Sequence, residues 1–144
     1  MEKNVTISAI LVLATFALAF ASANIYPEFI KWHVYIVNGL SNNQNLWVHC
    51  KSSDNDLGTQ ILSQGSNFTW SFRIDFGHST LFWCHLKKEN VCESARFDAF
   101  WFDDRLFEKC GWKNCVWTAR DDAIYLTTLD GKVSQLYYQW DAGD

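Results

Sequence analysis

The clearest pattern in the chain is an alternation of apolar and polar residues. Phe68, Trp70, Phe72, Ile74 and Phe76 are apolar, and a polar residue stands between each pair. Successive side chains of a β-strand point to opposite faces of the sheet. This period of two therefore predicts a half-buried strand.

Seven further runs are rich in aromatic and β-branched residues, which favour strands. They cover residues 32–37, 46–50, 80–86, 96–102, 115–118, 123–127 and 133–138. Turn-forming residues separate the runs, and Asp130-Gly131 predicts a type I′ hairpin between the last two. No segment has the periodicity of a long amphipathic helix. The pattern predicts an all-β fold, either an antiparallel sandwich or a small barrel.

The first 23 residues have the organisation of a secretory signal peptide. Residues 7–20 are almost wholly apolar, and Ala21-Ser22-Ala23 provides the small residues that signal peptidase requires. The apolar run is too short for a membrane-spanning helix, which needs about 20 residues. We predict cleavage after Ala23 and a secreted, extracellular protein without membrane insertion. Residues 24–144 then form one domain.

Composition argues against one class of partner and suggests one modification. The chain has 12 Lys and Arg against 16 Asp and Glu, a net charge of −4, and no basic cluster. Nucleic acid is therefore not an expected partner. Asn67-Phe68-Thr69 is a glycosylation sequon, and in an exported chain we predict N-glycosylation of Asn67.

All five cysteines lie in the predicted mature domain: Cys50, Cys84, Cys92, Cys110 and Cys115. In an oxidising compartment they are expected to form disulfides, and the odd number leaves one thiol over. Zinc would require more closely spaced ligands. A thiol nucleophile would require a histidine within hydrogen-bond distance, but the two His next to Cys point to the opposite strand face.

Three acidic groups are candidates for acid catalysis or calcium binding, at residues 54–56, 103–104 and 121–122. All fall in predicted turns, where Asp and Asn bind the neighbouring backbone. An EF-hand loop beginning at Asp54 would need Glu at its twelfth position, which is Gly65. Nothing favours two carboxylates facing across a cleft. We expect no catalytic residue, no metal and no cofactor.

Aromatic residues make up 17% of the chain, including eight Trp. Most are expected in the core, because large rings bury the area that a small domain needs. Trp112 lies in a turn between two cysteines and is expected to be more exposed. A row of exposed Trp on one sheet face would instead suit sugar binding. An extracellular glycan-binding, lectin-like cell-wall module is therefore the alternative function.

A series of short motifs follows one another along the chain. They are Val34-Tyr-Ile-Val-Asn38, Leu46-x-Val-His-Cys-Lys-Ser52, Asp54-Asn-Asp-Leu-Gly58, Phe68-x-Trp-x-Phe72, Thr80-Leu-Phe-Trp-Cys84, Phe97-Asp98, Cys110 with Cys115-x-Trp117, and Asp121-Asp-Ala-Ile-Tyr-Leu126. In this order they resemble the plant self-incompatibility S-protein family over nearly the whole predicted domain. Two residues depart from the family pattern. Ala123 stands where Gly is common, and Cys92 matches no family cysteine.

The resemblance implies a small secreted β-sandwich of about eight strands with two disulfides among Cys50, Cys84, Cys110 and Cys115. Of the three pairings, we favour Cys50–Cys115 with Cys84–Cys110. Cys92 is then a free or intermolecular thiol. We expect a monomer, with a disulfide dimer through Cys92 as the alternative.

The resemblance also implies a function. Stigma S-proteins of this family act as extracellular signals that a pollen membrane receptor reads, without catalytic residues. We therefore expect a non-enzymatic ligand of a cell-surface receptor protein, with pollen–pistil recognition as one such role. Loops on a rigid scaffold carry recognition of this kind. The first candidates for receptor contact are Lys87, Lys88, Glu89, Asp103, Asp104, Arg105 and Trp112.

Overall fold

In the computed structural model, which describes residues 26–142, the chain forms two five-stranded β-sheets with a shared core. The strands are β1 (Trp32–Asn38), β2 (Leu46–Lys51), β3 (Asp56–Leu62), β4 (Asn67–Phe72), β5 (Phe82–Lys88), β6 (Glu93–Phe100), β7 (Asn114–Ala119), β8 (Ala123–Thr127), β9 (Ser134–Gln139) and β10 (Asp141–Ala142). The predicted all-β sandwich is confirmed. The predicted signal peptide, residues 1–23, lies outside the described residues.

The strand order is β4-β1-β7-β8-β9 in sheet A and β10-β6-β5-β2-β3 in sheet B. Sheet B is antiparallel throughout, but β1 and β7 in sheet A run parallel, from His33 opposite Asn114 to Asn38 opposite Ala119. The expectation of a purely antiparallel sandwich is wrong at this pair. A parallel pair needs a long crossover, and here β2 to β6 lie between the two strands in the chain.

The core consists of the inward-facing residues of both sheets. Strand β1 shows the alternation clearly, since Trp32, Val34 and Ile36 are fully buried and the residues between them are half-buried. The two fully buried indoles are hydrogen-bonded to backbone carbonyls, Trp32 to Pro27 and Trp117 to Ala99 in the opposite sheet. Buried polar atoms need such partners, and these bonds fix both rings in place.

Four elements and one turn differ from the sequence predictions, among them the strand β10 and a 3₁₀ helix at Pro27–Phe29, which are both too short to show a period. A short helix, α1 (Asp104–Lys109), follows β6, and six residues are too few to show a helical period. Strand β3 is an edge strand with mostly exposed side chains, so it lacks the alternation of a half-buried strand. Strands β8 and β9 form the predicted hairpin, but only Gly131 has positive φ, whereas a type I′ turn requires two such residues.

The loops gather at the two ends of the sandwich. The helix end comprises residues 26–31, 52–55, 73–81, 101–113 and 128–133. The Lys88 end comprises residues 39–45, 63–66, 89–92 and 120–122. The strand registers establish this division, because Trp32 pairs with Phe72 at one end of sheet A and Asn38 with Ala119 at the other.

Candidate functional site

The candidate receptor-contact residues divide between the two ends of the sandwich. Lys87, Lys88 and Glu89 belong to the Lys88 end, at and just beyond the end of β5. Asp103, Asp104, Arg105 and Trp112 belong to the helix end. The length of the strands separates the two groups. They therefore cannot form one continuous contact surface.

Lys88 is buried, so it cannot be a primary contact for a partner. Its side chain is 6% exposed, and its Nζ is bonded to the Glu93 carboxylate and to the Asp121 carbonyl at 2.7 Å. The ammonium also lies 4.7 Å from the ring centroid of Trp140, a cation–π contact. Lys88 joins the loops of its own end and is not free for recognition.

The rest of the Lys88 end is also internally bonded. The buried Asn38 side chain donates to the carbonyls of Gln44 and Leu62 and accepts from the Leu40 amide. The Asp121 carboxylate accepts from the Ser41 amide at 3.0 Å, and the side chain of Ser41, followed by this amide, lowers the pKa of Asp121. The polar groups of these loops are largely used to hold the loops together.

At the helix end, two of the candidate residues have structural roles. Asp103 caps α1, accepting from the amides of Arg105 and Leu106, as Asp at an N-cap does. Trp112 packs against Trp32 and Phe107 with ring centroids 6.2 and 5.5 Å apart. Trp112 is half-buried, and so more exposed than the fully buried Trp32 and Trp117. Its ring covers the edge of the core.

The favoured disulfide pairing is wrong. The structure pairs Cys50 with Cys84 and Cys110 with Cys115. Cys50 and Cys84 are directly opposite each other on neighbouring strands β2 and β5, and both side chains face the core. Cys115 lies in sheet A, so its nearest available partner is Cys110 across the turn after α1.

Two predicted modification sites are accessible. Cys92 is an exposed free thiol at the Lys88 end, and the mass of the intact protein before and after reduction tests the predicted alternative of a disulfide dimer.

Asn67, the predicted glycosylation site, is exposed at the start of edge strand β4. Glycosylation there stays a prediction.

The stretch His49 to Gly58 serves structure. His49 Nε2 lies 2.7 Å from the Asp56 carboxylate, which also accepts from the Gly58 amide. These two hydrogen bonds lower the pKa of Asp56, the amide contributing most. Cys50 is in a disulfide and cannot act as a nucleophile or a zinc thiolate. Between residues 26 and 142, no three His, Cys, Asp or Glu side chains come close enough to share a metal ion.

Sequence reasoning missed an exposed aromatic group at the helix end, formed by Tyr26, Phe29 and Phe76. Ring centroids are 6.2 Å apart for Tyr26 and Phe29 and 6.1 Å apart for Phe29 and Phe76. The alternating pattern placed Phe76 with the buried residues of its strand, but β4 ends at Phe72 and Phe76 is 79% exposed. The turn residues Gly77-His78 directly after it were the signal that the strand had ended. We call this group the aromatic cluster.

The loop that carries Phe76 is ordered by Asp75. Its carboxylate accepts from the Thr80 hydroxyl and from the hydroxyl and amide of Ser79. These bonds, the Thr80 hydroxyl first, lower the pKa of Asp75 to about 2. The ring of His78 stacks on Phe102 at 4.0 Å, and its Nε2 pairs with Glu28. The loop is therefore fastened on both sides of Phe76.

Asp75→Asn is expected to lower the midpoint of thermal unfolding near pH 6 and to have little effect near pH 2. The folded-state pKa of about 2 lies below the ordinary 3.8, so the ionised carboxylate stabilises the fold above pH 3.8. That stability is lost as the pH falls toward 2. Thermal melts of both proteins from pH 2 to 6 measure the difference. A pH-independent difference would contradict the assignment.

The eight Trp separate into core and surface groups. Six are buried or packed against the core, whereas Trp47 and Trp83 lie on the outer face of sheet B. A cavity of about 370 Å³ adjoins Trp47 and is also lined by Ile61, Lys87 and Glu89. The Lys87 ammonium lies 4.7 Å from the Trp47 ring centroid. Sheet B thus presents a shallow polar and aromatic face.

Comparison with known proteins places residues 33–140 in the family described as plant self-incompatibility protein S1. S-protein homolog 1 of Arabidopsis thaliana is 40% identical over 119 residues, covering 83% of this chain and 78% of that protein. Self-incompatibility protein S1 of Papaver rhoeas is 32% identical over 131 residues, covering 90% of this chain and 88% of that protein.

A solved structure has the same fold. It is described as that of SPH (self-incompatibility protein homologue) proteins, a widespread family of small, highly stable, secreted proteins from plants. The TM-score is 0.60 at 25% identity, and the match covers 77% of this chain and 95% of the other. None of the helices in residues 26–142 is long and apolar enough to cross a bilayer.

Proposed function

Because the chain belongs to the plant self-incompatibility S1 protein family, we propose that it is a secreted, non-enzymatic signalling ligand. It binds the extracellular part of a cell-surface receptor protein through loops at one end of the sandwich. The observation that carries the proposal is a family match over residues 33–140 on a scaffold whose loops are fixed by internal bonds. Pollen–pistil recognition is one setting for such a ligand.

The chemistry of the chain supports binding over catalysis. Four of its five thiols are in disulfides. The acidic groups bind neighbouring amides and hydroxyls, as Asp121 does with Ser41 and Asp122 with Tyr125. Rigid loops lose little conformational freedom on binding, which favours affinity. A scaffold that holds its loops rigid is sufficient for a ligand that does no chemistry.

The experiment is binding of the fluorescently labelled, secreted protein to protoplasts from several tissues of the source plant, pollen and pistil included. Saturable binding that mild surface proteolysis removes is the expected result. Protein that has been reduced, alkylated and unfolded by heat is the control, because it lacks the folded loops. Absence of saturable binding to every tissue would overturn the receptor proposal. Binding confined to pollen would place the ligand in pollen–pistil recognition.

A second candidate function is glycan binding on the outer face of sheet B. Trp47 and Trp83 favour it, because they are the two indoles outside the core. Lys87 and His85 stand on the same face. The test is quenching of Trp fluorescence by cell-wall oligosaccharides, neutral and acidic, in the native protein and in Trp47→Ala. No change across the whole panel would dispose of this candidate.

A further inference from the structure

Exposure of aromatic rings is confined to one place on the protein. Between residues 26 and 142, three of the 22 Phe, Tyr and Trp side chains are exposed: Tyr26 by 58%, Phe29 by 67% and Phe76 by 79%. These three rings form the aromatic cluster. Random exposure of apolar residues is ordinary, but three contiguous exposed rings mark an interaction surface. The 19 other rings are buried or half-buried.

The aromatic cluster is held rigidly. Arg73 donates to the Phe29 carbonyl, and Glu28 pairs with His78. The Glu28 side chain is only 11% exposed. Two chain segments far apart in sequence, residues 26–29 and 73–78, are therefore joined beneath the rings. Presenting large rings on a fixed backbone is typical of interface hot spots.

A polar cavity of about 330 Å³ borders the cluster. Asp54 and Asp75 line it together with the hydroxyls of Ser52, Ser53, Ser79 and Thr80. Arg73 is the one basic residue in the lining, and its guanidinium is engaged with the Phe29 carbonyl. Asp75 is already bonded to Ser79 and Thr80, so the carboxylate that the cavity offers to a partner beside the exposed rings is that of Asp54. That combination complements a Lys or Arg side chain flanked by apolar groups.

The Lys88 end has no comparable surface. Its exposed large apolar residue is Val91, and the ammonium of Lys88 is buried among Glu93, Asp121 and Trp140. Interface hot spots are enriched in aromatic residues. The two ends of the sandwich thus differ in what they offer a partner, and the difference favours the helix end.

We propose that the aromatic cluster is the receptor-contact surface of this protein, and that the bordering cavity takes a basic side chain of the receptor. The inference deepens the proposed function and rests on it. Tyr26, Phe29 and Phe76 fill an apolar recess of the receptor, and Asp54 faces the basic group. The outermost loops of the helix end, not the charged residues at the end of β5, then determine affinity.

The charge around the rings favours a protein partner over a lipid surface. Asp75 precedes Phe76 in the chain and lines the cavity together with Asp54, and the whole chain carries a net charge of −4. A membrane surface that carries anionic lipids repels a negatively charged protein surface. An apolar centre with a charged rim is instead the anatomy of a protein–protein interface.

The test compares variants in the protoplast binding assay. Phe76→Asp is expected to weaken saturable binding by about 30-fold, since hot-spot truncations cost about 2 kcal/mol or more. Val91→Asp is the matched control, because it places the same charge on an exposed apolar loop residue at the other end. Asp54→Lys is expected to weaken binding about 10-fold and to reduce its dependence on salt. Glu89→Lys controls for the change in net charge, because Glu89 is exposed at the Lys88 end.

Unchanged binding of Phe76→Asp and Asp54→Lys, with wild type still saturable, would overturn the inference and leave the proposed function standing. Absence of wild-type binding would overturn both.

Two parallel measurements test whether a lipid surface or a second copy of this chain, and not a receptor, binds the aromatic cluster. Binding to protein-free phosphatidylcholine–phosphatidylserine vesicles that Phe76→Asp abolishes would assign a lipid surface. A concentration-dependent dimer in sedimentation velocity that the same variant dissociates would assign a second copy. Either result would overturn the receptor assignment. Circular dichroism melts confirm that each variant folds.

Discussion

Lys88→Ala is expected to lower the free energy of unfolding by about 3 kcal/mol, near the lower end of what breaking a buried ion pair costs. The ammonium bonds Glu93 and the Asp121 carbonyl and lies over the Trp140 ring. Glu93 is 40% exposed, so water can solvate it in the variant and keep the loss at that end of the range. The Asp121 carbonyl and the Trp140 face lose their partner outright.

Lys87→Ala is the matched control, since it removes the same side chain from the preceding position of β5. Lys87 is exposed and its ammonium contacts the Trp47 ring, so its loss is expected to cost less than about 1 kcal/mol. Urea unfolding at pH 7, followed by Trp fluorescence, measures both. Equal losses for the two variants would contradict the structural role of Lys88. Receptor binding of folded Lys88→Ala is expected to persist, because the proposed contact lies at the other end.

The sequence contained enough information to assign Lys88 to the core. Phe82, Cys84 and Leu86 alternate with Trp83, His85 and Lys87 along β5, and the inward face of the strand continues to position 88. If the alternation continues from Leu86 to position 88, Lys88 faces inward and Lys87 faces outward. Two like charges in a row also favour a solvated loop, and the prediction of an exposed Lys88 rests on that composition and not on the alternation.

The disulfide pairing and the aromatic cluster depend on information that no local pattern carries. Cys50 meets Cys84 because β2 is a neighbour of β5 in sheet B, and strand order is a property of the whole topology. Phe76 meets Phe29 because β1 and β4 are paired, which brings the segment before Trp32 against the loop after Phe72. Local alternation identifies strands and their inner faces. It does not identify their neighbours.

Replacing the pair Cys50 and Cys84 with Ala is expected to lower the free energy of unfolding by about 4 kcal/mol. The bond closes a loop of 34 residues, and a longer loop restricts the unfolded chain more strongly. Replacing Cys110 and Cys115, which are only 5 residues apart, is expected to cost about 2 kcal/mol by the same relation. All four side chains are buried, so the cavity left by each pair is similar and the comparison isolates loop length.

The two double variants also separate stability from recognition. The Cys110–Cys115 bond lies beside α1 at the helix end, whereas Cys50–Cys84 ties two central strands of sheet B. Urea midpoints of the double variants, measured against wild type, give the two stability losses. A larger loss for the Cys110 and Cys115 pair would show that loop closure in the unfolded chain is not the main contribution, and would point to ordering of the turn around Trp112. Trp112 packs on Phe107, and Phe107 contacts Phe102, on which His78 stacks. The ordering would therefore extend toward the loop that carries Phe76. In that case Cys110→Ala/Cys115→Ala would bind protoplasts more weakly than Cys50→Ala/Cys84→Ala.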